Sequence, residues 1–333
     1  MTYRVAVTRG YAEADGTTIF GDIGLDRLTQ GGLEWCVLDE PMSPLRAREL
    51  EGFDAAIVLG PEEFDASSIP SGGRLRHVAR FGAGYDAVDV AACTAAGIVL
   101  TNTADAVREP MAHTALALLL GLAHNILIKD RLVRTGRWAE RAEHRGRGLQ
   151  GATVGIVGFG GVGQAVARLV AALGVRVVAY NRSDRSAEAD DIGVEMLPLD
   201  EVMAASDYAI VTVSANPETR HLIGDRELGL LGHGGRLINI ARGSVVDETA
   251  LIRRLEAGEL AGAGLDVFEQ EPVDGQNPLL AMDSVIVAPH SLCWTDGFTA
   301  AVSASVMRSV LAVAAGETPE TAVNAVPARA GTL

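Results

Sequence analysis

Val157-Gly158-Phe159-Gly160-Gly161-Val162-Gly163 places three glycines, Gly158, Gly160 and Gly163, in G-x-G-x-x-G spacing. The residues before it, 152–157, read as a buried parallel strand, and the residues after it, 164–170, read as a helix. In that context a glycine-rich turn is a dinucleotide-binding fingerprint. The first glycine permits a tight turn. The second lets a pyrophosphate approach the backbone, and the third lets helix and strand pack closely. The helix N-terminus then presents unpaired N–H groups to the phosphates. Gly158, Phe159, Gly160, Gly161, Val162 and Gly163 are therefore expected to bind the cofactor.

Outward from the fingerprint, strands are predicted over 153–157, 176–180, 208–213, 236–240, 262–266 and 285–287. Six parallel strands with a glycine-rich first turn make a doubly wound nucleotide domain. Upstream, strands over 3–8, 35–38, 55–59, 75–80 and 98–101, with a helix over 44–50, show the same βα alternation. An apolar helix is predicted over 112–128. The polar, arginine-rich stretch 129–150 reads as a loop or arm leaving the body, 298–315 as a helix, and 325–333 as a frayed tail. Because the fingerprint lies mid-chain, the predicted fold is α/β with two doubly wound domains. A Rossmann dinucleotide-binding domain (105–291) is inserted into a flavodoxin-like substrate domain (1–104 and 292–333), with a small-molecule cleft expected between them.

Composition narrows the function. The chain has 333 residues and a formal net charge of −15, which argues against a nucleic-acid partner. An anionic substrate must then be held by local arginines rather than by the whole-protein field. No run is read as a membrane span; the longest candidate, 112–128, is broken by His113, Thr114, His124 and Asn125. The start of the chain runs directly into a strand, so no signal peptide is expected. Cys36, Cys93 and Cys293 show no metal-ligand spacing and fit a reducing cytoplasm.

Three segments end predicted strands of the nucleotide domain: Asn239-Ile240-Ala241-Arg242-Gly243, Leu265-Asp266-Val267-Phe268-Glu269-Gln270-Glu271-Pro272 and Ala288-Pro289-His290. Ligands of open parallel sheets sit beyond the carboxyl ends of strands. A guanidinium, a carboxylate and an imidazole therefore converge on one edge. Arg242 can clamp a carboxylate with two parallel hydrogen bonds and polarise a carbonyl. His290 can supply a proton near neutral pH, and Glu271 can hold its ring and favour the charged form. Together they suit reduction of a 2-keto acid.

These motifs, with Gly82-Ala83-Gly84-Tyr85-Asp86, resemble the D-isomer-specific 2-hydroxyacid dehydrogenases from about Arg80 to His290. The resemblance implies that Arg242, Glu271 and His290 are catalytic, and that Asp266 faces the nicotinamide carboxamide beside the backbone of Ala241. It also implies that the N–H groups around Gly82, Ala83 and Gly84 hold the substrate carboxylate. A homodimer through the nucleotide domain is implied as well, and would give the arm a role. His113 stands where many members have glutamate. Trp294 follows the histidine where small residues are common, and either narrows the substrate pocket or belongs to the core.

The cofactor is read from the end of the second strand of that domain. An acidic residue there selects NAD by bonding the ribose 2′-hydroxyl. Here Asn181 replaces the acid, and Arg182 and Ser183 can bind a 2′-phosphate, so NADP(H) is expected over NAD(H). Asp184 is the counter-signal. The expected activity is reduction of a 2-keto acid to a (D)-2-hydroxy acid, glyoxylate/hydroxypyruvate reductase-like. Arg80 leaves a phosphoglycerate dehydrogenase-like role as an alternative, and a nucleotide-sensing corepressor-like binding protein is the second. Glu271 argues against a formate dehydrogenase.

Overall fold

The computed structural model describes residues 2–326. The tail expected over 325–333 lies mostly outside the described residues. The chain divides into two compact units, Met1–Val107 with Trp294–Leu333, and Arg108–Cys293.

In the first unit β1 (Arg4–Val7), β2 (Glu34–Val37), β3 (Ala55–Val58), β4 (His77–Arg80) and β5 (Val99–Thr101) form a parallel sheet. Its order is β2-β1-β3-β4-β5, the flavodoxin-like winding. Val5, Ala6, Val7 and all of β3 are buried, as a sheet covered on both faces requires. Short helices α1 (Asp26–Gln30) and α2 (Val90–Ala95) join strands; Asp89 Oδ1 caps α2 by accepting Ala92 N–H at 2.8 Å. The helix expected over 44–50 is a single 3₁₀ turn, Ala47–Glu49. Buried Leu45 and Leu50 anchor the two ends of the stretch.

The last helix, Asp296–Ala314, starts at Thr295, whose Oγ1 accepts Phe298 N–H at 3.1 Å. By length and composition it could cross a membrane, which corrects the reading that no run could. Its apolarity comes from alanine and valine rather than leucine, so it is inconspicuous in the sequence. Phe298, Val302, Val306, Met307 and Val310 are buried within the unit, as in a core helix.

In the second unit β6 (Thr153–Val157), β7 (Arg176–Tyr180), β8 (Glu195–Met196), β9 (Tyr208–Val211), β10 (Arg236–Asn239), β11 (Gly262–Leu265) and β12 (Val285–Val287) form a parallel sheet. Its order is β12-β11-β10-β9-β6-β7-β8, a Rossmann winding with one further edge strand. The two-residue β8 went unread because it has no apolar run; it pairs with β7 alone. The winding reverses between β6 and β9, beside the fingerprint.

The helix read over 112–128 is two. Helix α3 (Arg108–His124) ends at Asn125, a left-handed residue (φ 52°, ψ 46°), and α4 (Ile126–Arg134) continues after a 61° bend. Asparagine tolerates that conformation better than most residues. The loop or arm expected over 129–150 begins as the end of α4 and is tied to the rest of the unit near its two ends. Leu132 is buried, Tyr208 Oη donates to Arg147 O at 3.0 Å, and Arg147 pairs with Asp207. Between these ties residues 133–143 are exposed except for half-buried Glu140, with Trp138 62% exposed.

Candidate active site and dinucleotide site

The fingerprint turn leads from β6 into α5 (Gly161–Ala171). Gly158 has φ +105°, and its N–H donates to Tyr180 O at 2.8 Å, joining the turn to β7. A Cβ on Gly163 would overlap the carbonyl oxygen of Gly158, so helix and strand meet at van der Waals limits. A Cβ on Gly160 would meet nothing within 4 Å. Space is thus left where a pyrophosphate would lie, against the N–H groups of an eleven-residue helix. The residues present fit a dinucleotide.

At the end of β7, Asn181 is fully engaged. Its Oδ1 accepts Phe159 N–H at 3.0 Å, and its Nδ2 donates to Ser183 O and Oγ, both at 2.9 Å. An aspartate could make the first contact and accept the Ser183 hydroxyl, but could not donate to the Ser183 carbonyl. Arg182 is exposed and pairs with Glu218. Asp184 is occupied in a local turn, since its Oδ1 accepts the N–H and hydroxyl of Ser186 at 3.0 and 2.6 Å. Those bonds hold its carboxyl below the usual range.

The three strand ends come together as expected. After β10, Asn239 Oδ1 accepts Ala241 N–H at 3.0 Å and its Nδ2 donates to Arg242 O at 2.9 Å, fixing the backbone that carries Arg242. A Cβ on Gly243 would overlap the Phe268 carbonyl. The turn after β10 therefore lies directly on the turn after β11. There Glu271 Oε1 accepts Phe268 N–H at 3.0 Å, and Oε2 meets His290 Nδ1 at 2.8 Å. Burial raises the Glu271 carboxyl, but the His290 hydrogen bond and charge, the Phe268 N–H and Arg242 outweigh it and leave the carboxyl lowered. An ionised Glu271 requires Nδ1 to carry a proton, so Nε2 is the atom left to exchange one. Nε2 has no hydrogen-bond partner among the described residues.

His290 itself is held in the left-handed region at φ +53°. Asp266, 1% exposed, keeps it there: Oδ1 accepts Ser291 N–H at 3.0 Å and Leu292 N–H at 3.2 Å. Burial raises the Asp266 carboxyl against the pull of those two N–H groups. Cys293 is buried and its thiol is pushed up to about 12 by burial first and the Asp266 charge second, which makes it no nucleophile. His113 is exposed on α3.

In the first unit, Gly82 has φ +135°, and its N–H donates to Thr103 Oγ1 at 3.1 Å. Asn102 Nδ2 donates to Ala83 O at 2.8 Å. The turn is pinned through Gly82 N–H and the Ala83 carbonyl, while the Ala83 and Gly84 N–H groups donate to no described residue. Arg80 Nη1 donates to Val58 O at 3.0 Å, bracing β3 against β4. Trp294, 38% exposed, stands edge-on to Phe20 at 4.8 Å between ring centroids, and Phe20 stacks on Phe81 at 4.8 Å. Trp294 is thus part of an aromatic cluster beside the Gly82 turn. These candidate side chains are named by the sequence, but their supports are not. Asn239 lay within a quoted motif, and its Asx-turn chemistry was a readable signal. The reach of Asp266 to Ser291 had none.

The family model for the NAD binding domain of D-isomer specific 2-hydroxyacid dehydrogenases matches residues 116–291. A glyoxylate reductase of Thermococcus gammatolerans is 40% identical over 277 residues, 81% of this chain and 83% of that protein. One from Korarchaeum cryptofilum is 35% identical and covers 97% and 96% of the two chains. Among solved structures, the NADPH-dependent glyoxylate/hydroxypyruvate reductase of Sinorhizobium meliloti, in complex with NADP and malonate, superposes with a TM-score of 0.85 at 31% identity over 100% of both chains. The chain belongs to the D-isomer-specific 2-hydroxyacid dehydrogenases. It is an oxidoreductase that acts on the CH–OH group of 2-hydroxy acids, and on the matching 2-keto acids in reverse, with a nicotinamide cofactor.

Proposed function

We propose that this chain reduces a small 2-keto acid, glyoxylate or hydroxypyruvate, to the D-2-hydroxy acid with NADPH. The observation that carries the reading is the His290–Glu271 pair with an open Nε2, at the same sheet edge as Arg242. A nicotinamide held there would supply the hydride that the carbonyl carbon takes up. Arg242 binds the substrate carboxylate and polarises the carbonyl. His290 Nε2 gives its proton to the developing alkoxide, and Glu271 steadies the imidazolium before that transfer. Asp266 and the backbone of Ala241 would hold the nicotinamide carboxamide. In the first unit, taken by itself, the Ala83 and Gly84 N–H groups that donate to no described residue suit a carboxylate, and Arg80 and Trp294 are the other substrate-binding candidates.

The names of the relatives support this substrate class. NADPH preference is supported by the missing acid at Asn181, by Arg182 and Ser183 beside it, and by the cofactor named for the Sinorhizobium relative. The discontinuous unit serves as substrate domain and the inserted one as dinucleotide domain. Ile126, Leu127, Val133 and Trp138, all exposed around α4, support a homodimer. The three free cysteines suit a cytoplasmic setting. The test is oxidation of NADPH and NADH with a panel of 2-keto acids. Turnover of the small acids with NADPH is the expected result. A silent panel beside tight NADPH binding would instead favour a nucleotide-sensing binding protein.

A further inference from the structure

Arg108 opens α3 and belongs to none of the motifs above. Its side chain lies over the first residue of the fingerprint helix: a Cβ built on Gly161 would sit 2.7 Å from Arg108 Nε and 3.2 Å from Cζ. The placement follows from the packing of α3 against α5. Ala112 and Ala115 on α3 share one buried cluster with Ala165 and Val166 on α5, and these small side chains let the helices approach closely. Residue 108 lies one turn before Ala112, so its side chain reaches the N-terminus of α5. Arg108 is exposed, and among the described residues it makes no ion pair, whereas Arg131, Arg147, Arg176, Arg182 and Arg226 in the same unit all do.

We propose that Arg108 is a cofactor-binding residue whose guanidinium closes the pyrophosphate site over Gly160 and Gly161. The helix N-terminus supplies neutral N–H donors on one side of the phosphates. Arg108 adds a full charge and a planar fork of donors on the other, the geometry that suits phosphate oxygens. In a chain of net charge −15, such a local cation offsets the repulsion a dianionic pyrophosphate meets on approach. The role rests on the dinucleotide site and is independent of which keto acid is reduced. It is also distinct from that of Arg182, which lies at the end of β7.

Because NADH and NADPH share the pyrophosphate and differ at the 2′-phosphate, the two arginines are separable by binding alone. Nicotinamide fluorescence titrations, with no keto acid present, would compare the unaltered protein with Arg108→Ala, Arg108→Lys and Arg182→Ala. Arg108→Ala is expected to weaken both nucleotides by the same factor, about tenfold or more, and to flatten the salt dependence of binding. Arg108→Lys should recover part of the loss, since it keeps the charge without the fork. Arg182→Ala should weaken NADPH alone. Thermal melts of the free proteins check that each variant is folded, and Arg108→Lys carries the test if the alanine variant is not. Unchanged binding of both nucleotides to a folded Arg108 variant, or a loss confined to NADPH, would overturn the assignment.

Discussion

His290 Nδ1 lies 2.8 Å from Glu271 Oε2, and the other oxygen of that carboxylate accepts the Phe268 N–H at 3.0 Å. The carboxylate is therefore fixed from both sides and sets the orientation of the ring. Replacing it by Glu271→Gln keeps the shape and removes the charge. Turnover is expected to fall by about 10²-fold, with a small change in the keto-acid KM.

The same substitution has a pH signature in stability. Burial raises the Glu271 carboxyl, but the His290 contact, the Phe268 N–H and Arg242 bring it below the ordinary value. A depressed folded-state carboxyl stabilises the fold above the unfolded value, about 4.3, and that contribution is lost as pH falls through the lower folded value. Calorimetric melts should show a Tm gap between unaltered protein and Glu271→Gln that is full at pH 7 and shrinks below about pH 4. A gap of constant size from pH 7 to pH 3 would count against the pair.

Asp266 shifts the other way. Burial raises its carboxyl, opposed by the Ser291 and Leu292 N–H groups. The ionised form thus costs stability at neutral pH, and the cost is relieved as pH falls through the raised value. Asp266→Asn, which keeps the acceptor oxygen, should melt at or above the unaltered protein at pH 7, with the difference closing toward about pH 4. Asp266→Ala removes the strap on residues 290–292 and should lower turnover at least about tenfold, the scale of losing a hydrogen bond to a charged group.

Cofactor choice can be shifted at one position. Asn181→Asp cannot donate to Ser183 and puts a negative charge where a 2′-phosphate would lie. The NADPH-to-NADH ratio of kcat/KM should fall by about tenfold or more. A ratio that does not move would show that the end of β7 does not read the ribose.

Two glycines of the site separate folding from binding. Gly243→Ala drives a Cβ into the Phe268 carbonyl, so Tm should drop sharply, by about 3 kcal/mol or more of stability. Gly160→Ala meets no protein atom within 4 Å. Its Tm should be unchanged while nucleotide binding fails. Retained binding in Gly160→Ala would mean the pyrophosphate lies elsewhere.

Both sheets were legible because a parallel strand buried on both faces is a short apolar run, and runs such as 55–58 and 153–157 announce themselves. Strand β8, with one glutamate and one methionine, carries no such signal. The α3–α4 bend was hidden because Asn125 breaks the helix without proline or glycine. At the site, Arg242, Glu271 and His290 were visible as strand-end residues. What orders them was not, because contacts such as Asp266 to Ser291 and Gly243 to Phe268 join segments 25 residues apart in sequence and depend on how two turns stack.

The most direct test is His290→Ala, followed by two readouts on one preparation: turnover of a 2-keto acid with NADPH, and NADPH affinity by fluorescence. If Nε2 delivers the proton, kcat falls by about 10³-fold or more while Kd for NADPH changes little. Turnover that survives the substitution at the unaltered rate would contradict the assignment of His290 as the acid.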